Sequence, residues 1–459
     1  MDTSNTRAKW SGQLAFVLAG AASAVGLGNL WRFPYLAAKY GGGIFLLTYL
    51  VLVFTFGFSL MVAEVAIGRR TGLSGLAAFK ALDRRFGFLG WLVTAIPVII
   101  LPYYCVIGGW VGRYFVGYGL SLVKTGVIAD PAGDTFFQAF VTHPALPLQY
   151  AIFFIALTFF VVALGVKHGI ERANMIMMPL LLLGMLALIG FTLTRPGSAE
   201  GIAFYLKPDF AKFSFKTVLG AMGQMFYSLS LAMGIMITYG SYMRKADNIE
   251  RSSRHIAAFD TLVSVLAGML VIPAIFIFSG GKADAMQSGP GLMFQTLPKV
   301  FAGMPGGDLT GFVFFTLVLF AALTSSISLM ETIVASIQDA LRLDRLQAAS
   351  ITFVATILLA VPSAFGYGRW SHITPFRDMP FLDFFDFISN SVLMPTAAFL
   401  TCIFVGWVVG PKVVIDEASI PTPFRRRRLF VAMIRYIAPI LILGILVSSI
   451  LTALNIIVI

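Results

Sequence analysis

The sequence has few charged residues, few histidines and very few cysteines. Only 12% of its 459 residues are charged, against about 25% in an average soluble domain. No HExxH, CxxC, Walker A or Ser-His-Asp pattern occurs in its apolar segments, and the four histidines lie in loops or at segment ends. Cys105 and Cys402 lie in apolar segments, where cysteine behaves as a small hydrophobic residue. These absences argue against an enzyme, a metal hydrolase or a disulfide-stabilised domain.

Long apolar segments dominate the chain instead, since 58% of its residues are hydrophobic. A segment of about 20 apolar residues is long enough to cross a bilayer as a helix. Eleven segments meet this criterion, and we number them spans one to eleven: 13–37, 43–67, 88–121, 148–166, 169–193, 216–242, 256–279, 309–340, 347–366, 380–410 and 429–457. The sequence therefore predicts an all-α polytopic membrane protein without a separate soluble domain.

The basic residues predict how these spans are oriented. Lysine and arginine are enriched in cytoplasmic loops, and here they cluster in alternate loops: Arg7, Lys9, Arg69, Arg70, Lys80, Arg84, Arg85, Arg244, Lys245, Arg251, Arg254, Arg342, Arg345 and Arg425–Arg428. This pattern places the N-terminus in the cytoplasm and, with eleven spans, the C-terminus outside the plasma (inner) membrane. The net charge of +12 follows from this topology, so we expect no nucleic-acid partner. The run Arg425–Arg428 is either a topology signal or a contact for anionic lipid.

Two spans carry residues that interrupt a helix. Span one contains SAVGLGNLWRFPY, residues 23–35, and span six contains SLSLAMG, residues 228–234. Unwinding a membrane helix exposes backbone groups, which are tolerated only against protein or in a polar cavity. Freed N–H groups attract an anion and freed carbonyls attract a cation. Interrupted spans at matching positions in two halves predict a binding site between inverted repeats.

Span eight places oxygen atoms along one helix face. Ala321, Thr324, Ser325 and Leu329 share that face by their i, i+3 and i+4 spacing. Hydroxyl and carbonyl oxygens are ligands that a hard cation prefers. Serine and threonine also commonly bond to carbonyls within membrane helices. The residues alone leave both interpretations open.

Several motifs resemble the neurotransmitter:sodium symporter family. They are AVGLGNLWRFPY followed by GGGIFLLTY, PYYCVIGGW, GQMFYSLSLAMG with TYGSYMRK, LTSSISLMETIVASIQD and FLDFFDFISN, and the resemblance runs from about residue 7 to residue 410. It implies the LeuT fold, with helices one and six discontinuous, within one transmembrane domain, 1–459. The two inverted five-helix repeats would be 7–195 and 214–411, followed by an extra C-terminal helix, 425–459. It also implies sodium-coupled symport by alternating access.

The resemblance implies two co-transported sodium ions. The first would bind the carbonyl of Ala24, the side chains of Asn29 and Asp260, the hydroxyl and carbonyl of Ser228, and the substrate carboxylate. The second would bind the carbonyls of Ala22, Val25 and Ala321 with the hydroxyls of Thr324 and Ser325. This second set includes the polar face of span eight.

The resemblance also implies a substrate site and two gates. The substrate carboxylate would meet the N–H groups of Leu27 and Gly28 and the Tyr104 hydroxyl, and its amino group the carbonyls of Tyr227 and Ser230. The remaining pocket residues would be Ala24, Ile100, Phe226, Ser228, Met233, Ser325, Ser326 and Leu329. Arg32 and Asp386 match the outer gate, and Arg7, Trp10 and Asp339 match the inner gate.

Departures from the family pattern refine these expectations. Asp260 stands where many members carry Asn, while Ser264 alone would indicate a chloride site with Tyr49, Gln224 and Ser228. A fixed carboxylate can supply chloride's charge, so we expect chloride independence.

The residues at the two breaks bear on the substrate. Gly26 lies where members of the family that carry monoamines have Asp, so the resemblance implies an amino acid and not an amine. Ala232, the first residue of Ala232-Met233-Gly234, lies where members that accept large aromatic substrates tend to have Gly, so the resemblance implies small to medium apolar side chains. The alternatives are larger aromatic amino acids or amines as substrates, or a non-transporting amino-acid sensor. We expect contact with membrane lipid and no obligate protein partner.

Overall fold

A computed structural model of the chain describes residues 8–123, 130–279 and 291–453. Its α-helices, in chain order, are α1 Gln13–Ala24, α2 Phe33–Lys39, α3 Gly43–Leu52, α4 Phe58–Thr71, α5 Gly75–Leu82, α6 Gly87–Val123, α7 Phe136–Val141, α8 Leu146–Ala163, α9 Arg172–Leu193, α10 Ser198–Leu206, α11 Phe215–Ser228, α12 Ile235–Ser241, α13 Ile249–Ser279, α14 Leu297–Ala302, α15 Gly307–Leu341, α16 Arg345–Phe365, α17 Phe381–Asp386, α18 Met394–Ile403, α19 Pro411–Ala418, α20 Arg427–Ala432 and α21 Ala438–Ala453. Within the described ranges no β-strand occurs, only two isolated bridges, so the predicted all-α class is confirmed.

Short π-helical segments join several of these helices into longer rods. They are Gly28–Arg32, Val53–Gly57, Val166–Glu171, Leu292–Thr296, Phe387–Leu393, Phe404–Val408 and Met433–Ile437. Two 3₁₀ turns, Arg84–Phe86 and Phe210–Lys212, lie between helices.

The described residues hold nine helical rods long and apolar enough to cross a membrane, and the bent pair α1 and 28–39 adds a tenth. Span six is the one predicted span that this count of ten leaves out. It consists of α11 and α12, which are 14 and 7 residues long. Each is too short to cross a bilayer of about 30 Å alone. The prediction of eleven spans therefore depends on counting this broken pair as one crossing.

The break in span one lies where the glycines and asparagine predicted it. Helix α1 ends at Ala24, and Val25 adopts an extended conformation with φ −78° and ψ 100°. The rod then bends by 56° before it continues through Gly28–Arg32 into α2. A Cβ atom on Gly26 would lie 2.6 Å from the Ser325 hydroxyl, so the tight packing here requires glycine.

The break in span six occupies residues 229–234, between α11 and α12. Every second residue is left-handed, with φ of 53° at Ser230, 62° at Ala232 and 74° at Gly234. A left-handed conformation costs a non-glycine residue about 1–2 kcal/mol. Glu64 of α4 offsets this cost, because its carboxylate accepts a 2.7 Å hydrogen bond from the Ala232 N–H.

The two breaks contact each other in the middle of the bundle. The Ser230 hydroxyl donates to the Ser23 carbonyl at 3.0 Å, and the two serine hydroxyls lie 3.1 Å apart. Both residues are buried. The predicted discontinuities of helices one and six are therefore confirmed, and a hydrogen bond between serines joins them.

Candidate functional site

A cavity of about 30 Å³ lies between the two breaks. Its lining comes from the two breaks and the helix ends that flank them, from α6 and from α15: Ser23, Ala24, Gly26, Leu27, Gly28, Asn29, Ile100, Tyr104, Tyr227, Ser228, Ser230, Met233, Ile235, Ser325 and Leu329. The set contains all but two of the residues predicted for the substrate. Four lining residues were not predicted to contact the substrate: Ser23, Gly26 and Asn29, which belong to the motif of residues 23–35, and Ile235, which follows the motif of residues 228–234.

The two predicted residues outside the lining pack elsewhere. Phe226 makes an edge-to-face contact with Phe56, with ring centroids 5.2 Å apart. Ser326 lies 2.8 Å from the Thr158 hydroxyl of α8 and donates to the Leu323 carbonyl. The helical turn thus directs Ser325 to the cavity and its neighbour Ser326 to α8.

One end of the cavity has features suited to a carboxylate. The Leu27 N–H donates to the Tyr104 hydroxyl oxygen at 3.4 Å. A Cβ atom on Gly26 would lie 3.2 Å from that hydroxyl, and one on Gly28 would lie 2.4 Å from the Tyr227 ring. Because both positions are glycines, the unwound backbone reaches the cavity without a side chain between. Freed N–H groups beside a hydroxyl donor can bind an anion.

Three of the four residues of the first predicted sodium set, Asn29, Ser228 and Asp260, form a fully buried cluster with Tyr49 and Ser264, which we call the carboxylate cluster, while Ala24 lines the cavity. Asp260 accepts from Ser228 at 2.5 Å, from Asn29 at 2.8 Å and, through its other oxygen, from Tyr49 at 2.8 Å. These three hydrogen-bond donors to the carboxylate are all neutral. A buried carboxylate without a cationic partner is strongly disfavoured, so the cluster suits a cation.

Four of the five residues of the second predicted set, Val25, Ala321, Thr324 and Ser325, form a neutral cluster with Ser23, which we call the hydroxyl cluster. The Thr324 hydroxyl lies 3.0 Å from the Ala321 carbonyl and 3.5 Å from the Val25 carbonyl. The Ser325 hydroxyl lies 3.4 Å from the Val25 carbonyl and 3.2 Å from that of Ser23. The Ser325 hydroxyl therefore bonds to the Ser23 carbonyl, whereas the predicted Ala22 is buried one residue earlier in α1.

Three of the four residues expected to hold chloride, Tyr49, Ser228 and Ser264, belong to the carboxylate cluster. Tyr49 donates to Asp260, as described, and Ser264 accepts from Asn29 at 2.8 Å. Gln224 donates to the Gly28 carbonyl at 3.2 Å. The Asp260 carboxyl group and the Gly28 carbonyl thus already accept hydrogen bonds from two of these residues.

The outer-gate pair is close to the cavity without forming an ion pair in the described structure. The Arg32 guanidinium lies 5.3 Å from the centre of the Tyr227 ring. Asp386 accepts from Asn390 at 2.6 Å and from Tyr103 at 3.3 Å. Because Tyr227 lines the cavity, Arg32 covers one of its walls.

Of the predicted inner-gate residues, Trp10 lies just before α1, at the other end of span one, and Asp339 lies in α15. Trp10 is buried, and its indole N–H donates to the Tyr239 carbonyl at 3.0 Å. Its backbone N–H donates to the Tyr242 carbonyl at 3.1 Å. Asp339 accepts from the Ser74 N–H at 2.7 Å, while Arg7 lies outside the described residues. The chain before α1 is therefore bound tightly to α12.

Two acidic residues carry contacts that the motifs did not predict. Glu64 holds the break in span six, as described above, and Glu331 binds Arg345 at 2.5 Å and Tyr242 at 2.7 Å. The signal for both was a single acidic residue inside an apolar span, which is expensive in a membrane and marks a structural or functional contact.

No group of three or more His, Cys, Asp or Glu side chains in the described ranges is arranged to hold a metal ion. Both clusters rely on hydroxyl, amide and carbonyl oxygens, with one carboxylate. Such oxygens suit a weakly bound hard cation more than a resident transition metal.

Comparisons with known proteins agree with this geometry. The profile of the Sodium:neurotransmitter symporter family matches residues 7–122 and 142–456. The chain is 33% identical over 465 residues to an uncharacterised sodium-dependent transporter of Haemophilus influenzae, covering 98% of this chain and all of that protein. It is 36% identical over 417 residues to the uncharacterised sodium-dependent transporter YhdH of Bacillus subtilis, covering 89% and 90% of the two chains.

A solved structure extends the similarity to the fold. The crystal structure of MhsT in complex with L-phenylalanine superposes with a TM-score of 0.86 and 35% identity, over 96% of this chain and all of that one.

The broken helices, the mid-bundle cavity and the oxygen clusters define a multi-pass membrane transporter that depends on sodium, not an enzyme. The chain belongs to the sodium:neurotransmitter symporter family and has the LeuT fold.

Proposed function

We propose that this protein carries small to medium apolar L-amino acids into the cell together with two sodium ions, without needing chloride. The observation that carries the proposal is the shared position of the three sites. Ser228 and Ser325 line the cavity, and they also belong to the carboxylate cluster and the hydroxyl cluster. A substrate in the cavity and cations in the clusters would thus touch the same side chains.

The cavity chemistry supports an amino acid as the substrate. The Leu27 N–H and the Tyr104 hydroxyl, which lie 3.4 Å apart at the cavity, would bind a carboxylate, and the carbonyls of Tyr227 and Ser230 would bind the amino group. Ile100, Met233 and Leu329 supply an apolar wall. One methylene in such a pocket changes discrimination by only about 1–3 kcal/mol, so we expect several apolar amino acids to be accepted.

Alternating access would follow from the two ends of span one. Trp10 and its bonds to α12 hold the inner end, while Arg32 and Asp386, which are not paired in the described structure, would close the outer end. We propose that rearrangement occurs between the repeats 7–195 and 214–411, with the N-terminus in the cytoplasm and the C-terminus outside the plasma membrane.

The driving force is sufficient for strong accumulation. At a tenfold sodium gradient and 100 mV, two sodium ions entering with a zwitterion release roughly 7 kcal/mol per cycle. A thousandfold accumulation of substrate needs about 4 kcal/mol.

The direct test is uptake of labelled leucine into proteoliposomes that contain the full chain. We expect uptake under an inward sodium gradient, stimulation by an inside-negative potential, and no uptake when choline replaces sodium. Saturable sodium-dependent binding without uptake would instead show an amino-acid sensor. Absence of both binding and uptake for every amino acid tried would contradict the proposal.

Larger aromatic amino acids are a second candidate substrate class, because MhsT was solved in complex with L-phenylalanine. Competition against uptake of labelled leucine distinguishes small to medium apolar substrates from larger aromatic ones. We expect unlabelled alanine, valine, leucine or methionine to compete more strongly than phenylalanine or tryptophan. The reverse order would favour the aromatic class.

A further inference from the structure

Two hollows adjoin at the end of the bundle where α3 begins. The loop between α10 and α11 crosses the turn 41–43, and an isolated antiparallel bridge pairs Gly42 with Pro208. A Cβ atom on Gly43 would lie 2.5 Å from the Lys207 carbonyl group, and one on Gly41 would lie 2.9 Å from Lys212 Cβ. The three consecutive glycines therefore allow this loop to lie directly on the turn.

The first hollow is polar and basic, with a volume of about 460 Å³. It is lined by Gly41, Ala203, Phe204, Lys207, Pro208, Asp209 and Lys212. The Lys212 ammonium lies 3.7 Å from the Asp209 carboxylate, and both side chains are about half exposed. It also lies 5.5 Å from the centre of the Phe204 ring. Two lysines against one aspartate leave the hollow with a net positive charge.

The second hollow is an apolar groove of about 370 Å³. It is lined by Ile44, Leu47, Thr48, Val51, Leu52, Phe210, Phe213 and Val218. Thr48 is the one polar side chain in this set, and its hydroxyl already donates a hydrogen bond to the Ile44 carbonyl at 2.8 Å. The groove therefore offers only hydrocarbon to an occupant.

A single turn of chain separates the two hollows. Asp209 and Lys212 line the basic hollow, while Phe210 and Phe213 of the same loop line the groove. The two phenylalanines are 72% and 53% exposed. Exposed aromatic residues beside basic ones are typical of segments that lie in the membrane interface. The wall between the hollows is thus amphipathic.

We propose that these hollows bind one anionic phospholipid, with its phosphate at Lys207 and Lys212 and one acyl chain in the groove. Two features favour this occupant. The charges are complementary, because the phosphate of a lipid whose headgroup carries no positive charge is attracted to the net positive charge of the basic hollow. The groove is continuous with α3, which belongs to the membrane-crossing rod Gly43–Thr71, so an acyl chain reaches it from the bilayer.

The site connects the lipid to the transport machinery. The groove is walled on one side by α3 and on the other by Val218 of α11, the helix that leads to the break in span six. A bound acyl chain would fill the gap between these helices and hold them together.

The test is native mass spectrometry of the full chain in a neutral detergent, titrated separately with dioleoyl phosphatidylglycerol, dioleoyl phosphatidylcholine and glycerol 3-phosphate. We expect one phosphatidylglycerol to bind saturably, at least about fivefold more tightly than phosphatidylcholine, and glycerol 3-phosphate to bind much more weakly. Each lysine near a phosphate contributes about fivefold in affinity. The double variant Lys207→Gln, Lys212→Gln should therefore weaken phosphatidylglycerol binding about 25-fold.

Two further variants make the result specific. Val51→Trp places a large side chain in the groove at a position that is 57% exposed, so it should block the acyl chain without disturbing the core. Lys299→Gln is the matched control, because Lys299 is a partly exposed lysine paired with Asp134 and remote from both hollows in sequence. Val51→Trp should weaken phosphatidylglycerol binding and Lys299→Gln should leave it unchanged.

Three outcomes would overturn the proposal. Equal binding of the two phospholipids would remove the role of charge. Equal binding of glycerol 3-phosphate and phosphatidylglycerol would indicate a site for free phosphate groups. A dimer that Val51→Trp dissociates would show that a second copy of the chain covers the groove. None of these results depends on transport activity.

Discussion

The two oxygen clusters beside the cavity differ in the groups that would bind a cation. The carboxylate cluster contains one acidic side chain, Asp260, whose carboxyl group accepts hydrogen bonds from Ser228, Asn29 and Tyr49. In the hydroxyl cluster the oxygens are neutral, and the carbonyls of Ser23 and Val25 come from the end of α1 and the break after it.

This difference indicates how each cluster would select a cation. The carboxylate cluster is built mainly from side chains and holds a charge that is costly to leave unpaired in a low-dielectric site. The hydroxyl cluster has only partial charges, so its affinity depends on keeping several oxygens at the right distance. It should therefore be more sensitive to the loss of single hydroxyl groups.

Among the variants that keep Asp260, the largest effect is expected from the double variant Thr324→Ala, Ser325→Ala. It removes both hydroxyls of the hydroxyl cluster, and a bond from a polar group to a charge contributes about 1.5–3 kcal/mol. Sodium-driven uptake at a fixed sodium concentration should fall at least about 100-fold. Uptake into proteoliposomes measures this directly.

Ser326→Ala is the matched control for that variant. Its hydroxyl lies against Thr158 and does not line the cavity, so uptake should stay within about threefold of the unmodified chain. Equal losses from the Ser326 variant and the double variant would contradict the assignment of the hydroxyl cluster.

A smaller effect is expected when the carboxylate cluster loses one hydroxyl through Ser228→Ala. The charge of Asp260 remains, so the sodium concentration for half-maximal amino-acid binding should rise only about tenfold. Ser264→Ala is the control, because Asn29 keeps two other acceptors, Ser228 and Asp260. If Ser228→Ala and Ser264→Ala change the sodium concentration for half-maximal binding equally, Ser228 is not a cation ligand.

The smallest effect is expected from Ala232→Gly, which leaves both clusters intact. Ala232 is left-handed with φ 62°, and glycine adopts this conformation without strain. A more flexible break should improve competition by phenylalanine about fivefold, while the sodium dependence of leucine uptake stays the same. A change in sodium dependence without any change in substrate preference would show that the break serves the cation sites instead.

Sequence motifs predicted the broken spans and most of the cavity because glycine, serine and asparagine weaken a helix and bring polar groups into an otherwise apolar segment. The break in span six illustrates this, since SLSLAMG lies where α11 ends and α12 begins. Likewise, helical spacing placed Thr324 and Ser325 on one face of α15.

The remaining details depend on contacts between distant segments. Ser326 and Phe226 were assigned to the pocket, yet packing against Thr158 and Phe56 turns them elsewhere. The bond from Ala232 to Glu64 joins residues that are 168 positions apart, and no local pattern specifies it. Similarly, whether Arg32 pairs with Asp386 depends on the distance between the segment Gly28–Arg32 and α17, which lie far apart in the sequence.

Asp260 provides, in this proposal, the negative charge that chloride would otherwise supply, and the whole assignment of the carboxylate cluster depends on it. The most direct measurement is sodium-driven leucine uptake with chloride or gluconate on both sides of the membrane, for the unmodified chain and for Asp260→Asn. We predict equal uptake in both anions for the unmodified chain, and for the variant either uptake only with chloride or none. Full activity of the variant in gluconate would contradict the claim, as would a chloride requirement in the unmodified chain.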